Sequence, residues 1–125
     1  MRQVFNIPIR PKPKQRPRFS GGHAYTPKET QAYEQEIAYW VRDHGGKKVV
    51  GPIWVELGFY YRKPKRMKLE GPHTVRPDLD NLIKGVLDAC QGVLWDNDAE
   101  IHCICADKWY ADSDGILINV VGGEP

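Results

Sequence analysis

Cysteine is scarce in this sequence and comes in an odd number, three. That argues against a disulfide framework and for a reducing compartment, so a cytoplasmic protein is the expectation. No apolar run approaches the roughly 20 residues of a membrane span, so no membrane partner is expected. The opening residues MRQVFNIPIRPKPK lack the apolar core of a secretion signal. Acid is missing altogether from residues 1–18. What remains is a chain of 125 residues without repeats or low-complexity linkers. That length suits one domain with its own core, needing neither disulfides nor a structural metal.

The net charge of +2 conceals strong segregation. Arg2, Arg10, Lys12, Lys14, Arg16 and Arg18 precede any acid. RKPKRMK at 62–68 places five bases in seven residues, and Asp78 to Asp114 holds nine of the sixteen acids. Basic ends around an acidic middle suit a polyanion gripped about an acidic centre. The competing reading is a set of solvated charged faces, and the pI of about 8.4 lies below the usual nucleic-acid signal.

VFNIPI, 4–9, reads as a first strand. Pro8, Pro11, Pro13 and Pro17 then exclude a helix and a central strand. TPKETQAYEQEIAYWVRDHGG is a helix, with Thr26 expected to cap it, Pro27 at its first position and Glu29 completing a capping box. Tyr33, Ile37, Trp40 and Val41 form its apolar stripe, and Gly45-Gly46 stops it. IWVELGFYY, 53–61, is a strand, and the basic stretch 62–76 a long loop. A second helix runs from about Asp80 to Gln91. EIHCICADKWY and GILINVV are final strands, which the DG pair in ADSDG predicts to be a hairpin. The order β-α-β-loop-α-β-β predicts an α+β domain over 1–125, a small mixed sheet with two helices packed on one face.

The stretch RPDLDNLIKGVLD, 76–88, admits two readings. Leu79, Leu82, Ile83, Val86, Leu87 and Cys90 form one apolar stripe, with Asp80, Lys84 and Asp88 on another face. The plain reading is an aspartate cap and an i,i+4 ladder, a few tenths of a kcal/mol per pair. The other is a metal site. Asp78 and Asp80 lie one residue apart behind Pro77, so in an extended chain their carboxylates share a side and repel unless a cation intervenes. Hard oxygen ligands of this kind suit Mg²⁺ or Mn²⁺. WDNDAEI, 95–101, is a second acidic turn, expected to return beside the helix N-terminus, where Asp96 or Asp98 would complete a three-carboxylate cage. Divalent ions so held hydrolyse phosphodiesters, and Lys84 could offset developing charge.

RPDLDNLIKGVLDACQGVLWDNDAEI, 76–101, resembles the signature of the RusA family of Holliday junction resolvases: D-x-D-N-x-x-K, a short helix ending in D-A, an acidic turn, then A-[E/Q]-I. PKPKQRPRF and YTPKETQAYEQEI also look like the family's opening, so the resemblance spans nearly the whole chain. It implies that Asp78, Asp80 and Asp98 bind metal, that Lys84 is the essential basic residue, and that Asn81 and Asp88 hold the site's shape. It further implies dependence on Mg²⁺, with Mn²⁺ as a substitute, a homodimer, and a bacterial or phage source. The implied activity is symmetric cleavage of two opposed strands of a four-way DNA junction in recombination and repair. Where the family often has two adjacent aspartates, Asn97 fills the first place. Asp98 is matched because it directly precedes AEI, and Asp96 is the reserve.

Arg10, Lys12, Lys14, Arg16 and Arg18 recur every second residue. A β-extended arm over 10–18 would line them along one side at roughly 6.6 Å, able to track phosphates. A polyproline II arm would spiral them. Five phosphate contacts predict a salt slope of about −4 to −5. The alternative is a solubilising arm. HCIC, 102–105, has the wrong spacing for zinc, and alternation predicts Cys103 and Cys105 on the apolar face with Ile101. An EF-hand starting at Asp96 fails, because Ile101 stands where glycine is required. His23, His44 and His73 receive no role. Trp40, Trp54, Trp95 and Trp109 are read as core or subunit interface. Two other functions compete with the nuclease: non-catalytic binding of branched DNA, and Mg²⁺-dependent hydrolysis of small phosphorylated molecules.

Overall fold

A computed structural model describes residues 1–125. The strands are β1 (Arg2–Ile7), β2 (Arg18–Ser20), β3 (His23–Tyr25), β4 (Val50–Arg62), β5 (Gly71–Pro72), β6 (Ile101–Ala111) and β7 (Gly115–Gly123). The helices are α1 (Lys28–Asp43) and α2 (Leu79–Cys90). The expected α+β class holds. β2 and β3 form a separate two-stranded ribbon that the sequence reading passed over.

The main sheet runs β1-β7-β4-β6-β5. β4 is central because it is the longest and most apolar strand. Ile53, Val55, Leu57, Phe59 and Tyr61 alternate along it, each at most 2% exposed. β7 pairs with β4 antiparallel and β6 pairs with it parallel. The expected β6–β7 hairpin is therefore absent, because β4 lies between the two strands. The ADSDG turn instead crosses the end of β4, where Asp114 Oδ1 accepts a hydrogen bond from the Arg62 amide at 2.8 Å. A parallel β4–β6 pair needs a crossover, and α2 supplies it.

Both helices cover one face of the sheet. α1 buries Thr30, Tyr33, Ile37 and Val41, and α2 buries Leu82, Gly85, Val86, Ala89 and Cys90. Pro27, not Thr26, is the N-cap of α1, and no side chain caps it. The capping box is thus not formed: Gln31 Nε2 donates to the Thr26 carbonyl at 2.7 Å instead. Gly45, with φ of 80°, ends α1 as expected. The opposite sheet face carries Val4, Trp54, Trp109 and Val121, and nothing in the chain covers it. A register shift between Ile53 and Trp54 opposite β6 turns Cys103 and Cys105 onto this open face, away from the core side expected for them. Of the tryptophans, only Trp95 is fully buried.

Candidate active site

α2 begins at Leu79, one residue earlier than expected. Asp78 is its N-cap, with extended backbone, and Asp80 lies within the first turn. Both aspartates therefore sit at a helix start rather than along an extended strand. Asp78 does not cap: its side chain makes no hydrogen bond to the first turn. No ion pair in the chain involves Asp78 or Asp80. Two carboxylates two residues apart at the helix start thus carry no ion-pair partner, and the positive end of the helix dipole lies beneath them. Pro13, Arg76, Pro77, Asp78 and Asn81 line a cleft of about 420 Å³ there.

Asp98 does not join them. Its backbone amide donates to Gln91 Oε1 at 3.1 Å, and its Oδ1 accepts from Trp95 Nε1 at 2.7 Å. Both contacts lie past the C-terminal end of α2. The 12 residues of that helix separate Asp98 from Asp78 by about 18 Å at 1.5 Å per residue. β6 gives a second ruler. Asp98 leads into its start, whereas Lys108, roughly 23 Å along at 3.3 Å per residue, touches Pro77. The expectation that the acidic turn returns to the helix N-terminus is corrected: α2 runs back along β6, so the turn sits at its far end. Asp96, the reserve, shares that end and pairs with Lys48 at 2.7 Å. The Asn97 side chain accepts from the Ala99 amide and shapes the turn. No three acidic, histidine or cysteine side chains of one chain converge on an ion position.

Lys84 lies one turn after Asp80 and is largely exposed. It donates to Asp88 Oδ1 at 2.9 Å. Asp88 also pairs with Lys14 at 3.2 Å, and Lys14 bonds Glu34 of α1. Burial by itself would lower the Lys14 pKa, but Glu34 and Asp88 together raise it. This four-residue chain ties the basic arm to both helices.

The arm divides into two kinds of cation. Arg10 pairs with Asp114 at 3.1 Å and lies over the Tyr61 ring at 4.9 Å, and Lys14 is held as described. The Lys14 amide donates to the Asn81 carbonyl at 3.1 Å, laying the arm across α2. Gly85 lies directly beneath this crossing, where an added Cβ would sit in ordinary contact with Lys12 O at 3.5 Å and Tyr33 at 3.6 Å. Lys12, Arg16 and Arg18 form no ion pairs, and Arg18 opens the β2–β3 ribbon. That ribbon turns on Gly21 and Gly22, both at positive φ. It presents Phe19 at 77% exposure beside Arg18.

Three elements escaped the sequence reading. The Gly-Gly pair between two short polar-aromatic runs was a hairpin signal for the ribbon. Arg76 was counted within the basic loop without being placed at the acidic site. Lys108 was passed over because the expected alternation put it on the solvent side; only the register shift beside Ile53 turns it toward the helices. Its Nζ donates to the Val75 and Pro77 carbonyls, each at 2.8 Å.

Fold and site together give a small α+β domain with two aspartates at a helix start and cationic chain on either side. The chain belongs to the RusA family: the model described as Endodeoxyribonuclease RusA matches residues 8–121. It is an endodeoxyribonuclease of the Holliday junction resolvase class, a family that acts on branched DNA and generally depends on divalent metal. It is also similar to Uncharacterized protein YqaN of Bacillus subtilis (strain 168), at 24% identity with 78% of each chain covered. No helix is long and apolar enough to cross a membrane.

Proposed function

We propose that this chain cleaves four-way DNA junctions with Mg²⁺, acting as a homodimer that cuts two opposed strands. The carrying observation is Asp78, unpaired and lining the cleft beside Arg76, with the equally unpaired Asp80 in the first turn of the same helix, within a chain of this family. Mn²⁺ has the same preference for oxygen and substitutes for Mg²⁺.

The residues fit such an ion. Mg²⁺ is commonly held by one or two carboxylates, its waters and substrate phosphate oxygens, which Asp78 and Asp80 allow without a third ligand from their own chain. The ion, when bound, supplies charge neutralisation at the phosphate and activation of water. Asp78 and Asp80 hold it. Arg76 steers a phosphate into the cleft. Lys84, swinging from Asp88, opposes the charge that develops on the phosphoryl oxygens. Asn81 and Asp88 keep arm and helix in register, through the Asn81 carbonyl and the Lys14 pair.

Asp98 enters the reading through the dimer. Its distance from Asp78 within one chain means that it reaches a carboxylate pair only from a second copy. A two-fold dimer would supply two equivalent composite sites, matching the two scissile strands of a junction. The open sheet face with Val4, Trp54, Trp109 and Val121 supports a partner copy. Lys12, Arg16 and Arg18 grip phosphates by charge, and Phe19 offers a stacking surface to an unpaired base.

The test is incubation with a synthetic four-way junction and with a linear duplex, each with and without Mg²⁺. Paired cuts in the junction alone, with metal alone, are expected. Junction binding without cleavage under every metal condition would favour a non-catalytic binding protein.

A further inference from the structure

We infer that Lys108 is the positioning residue of the carboxylate pair, fixing the approach to Asp78 by clamping the two backbone carbonyls just ahead of it. The inference rests on the metal-site reading above.

Lys108 sits on the helix-facing side of β6, opposite Phe59 and in the same row as Ala106 and Tyr110. Phe59 is fully buried. A cation on that side is costly unless its ammonium finds acceptors. It finds two within three residues, Val75 O and Pro77 O. The same residue holds the loop by its backbone, for the His73 amide donates to the Lys108 carbonyl at 3.1 Å. His73 in turn stacks on Tyr61 and packs at a tilt against Tyr110, with ring centroids 4.4 and 4.7 Å away. The segment 73–77 is therefore strapped to β6 at both ends through one residue.

This strap matters because α2 gives Asp78 no anchor through its side chain. Asp78 is positioned only by its backbone, and the preceding carbonyl of that backbone is the one Lys108 grips. Carbonyl acceptors also leave both carboxylates free: a lysine that paired with Asp78 directly would compete with a cation for it. Lys108 therefore orders the site without occupying it.

The test titrates metal-free protein with MnCl₂ by calorimetry and measures junction cleavage across Mg²⁺ concentrations. Wild type should take up Mn²⁺, and Asp78→Asn should not. Lys108→Met should bind Mn²⁺ about 10- to 100-fold more weakly, the range for loss of a support to metal ligands. Its Mg²⁺ half-saturation for cleavage should rise by a similar factor, while its rate at saturating Mg²⁺ and its metal-free junction binding stay near wild type. Lys108→Arg, which keeps the donors, should restore most of the affinity. Wild-type Mn²⁺ affinity in Lys108→Met overturns the proposal, as does a lost saturating rate with intact affinity. Should Lys108→Met fail to fold, Lys108→Gln decides, since its shorter neutral amide cannot span both carbonyls: weakened Mn²⁺ binding supports the clamp and wild-type binding overturns it. Wild-type protein that takes up no Mn²⁺, or whose uptake survives Asp78→Asn, sinks the metal-site reading itself and this inference with it.

Discussion

Trp95 and Asp98 are joined by a 2.7 Å hydrogen bond from the indole N–H to the carboxylate, at the opposite end of α2 from Asp78. Trp95 is fully buried, so this bond satisfies the one polar atom of a core side chain.

A mixed-chain experiment follows from that geometry. Asp98→Asn keeps an oxygen acceptor for Trp95, so its melting temperature should stay near wild type. Asp98→Ala should instead lose about 1–3 kcal/mol by stranding the indole donor. Alone, Asp98→Asn and Asp80→Asn should each be inactive. Dimers mixed from the two chains contain one site with all three aspartates if the sites are composite, and should nick a junction. Absence of nicking in verified mixed dimers refutes sharing between copies.

Asp80→Asn should cut junctions at least about 10²-fold more slowly while binding them as tightly as wild type or better, because it removes negative charge near phosphates. Gel-shift and cleavage assays on the same preparation separate the two. A mutant that still cuts would show that the carboxylate pair is not the metal site.

The arm predicts a graded salt dependence. Replacing Lys12, Arg16 or Arg18 by alanine should each flatten the slope of log K against log salt by about 0.9, the effect of one lost phosphate contact. Arg10→Ala and Lys14→Ala should instead act mainly on stability, since those cations are already paired within the fold. Slopes measured on a junction between low and moderate salt check this division.

His73 predicts how acid affects the fold. Burial, then the nearby Lys108 and Arg10 charges, hold its pKa below the usual 6.5. Its folded pKa is therefore depressed, and the unfolded chain takes up the proton first. Stability is unaffected above about 6.5 and falls as pH drops from there through the folded value. His73→Phe keeps a stacking ring and removes the titration, so its melting temperature should fall less than that of wild type between pH 7.5 and 5.5. An equal fall in both proteins would refute the assignment.

Residues 76–91 were legible because they act locally. The stripe from Leu79 to Cys90, the carboxylates of Asp78 and Asp80 and the lysine one turn on follow from helical periodicity, which neighbouring residues set among themselves. The same holds for α1 and the apolar alternation of β4. The β6–β7 turn misled for the converse reason. A DG turn reports that the chain reverses, not which strand it then pairs with, and the pairing went to β4 because that strand is the most apolar.

The amino-acid sequence alone determined the local groups: two aspartates at a helix start, a following lysine and a cationic arm. Only the tertiary structure decided where they go. Because α2 runs back along β6, Asp98 ends a helix length from Asp78, and Lys108, distant in sequence, comes beneath Pro77. Such placements depend on long-range pairing of strands, which no local pattern encodes.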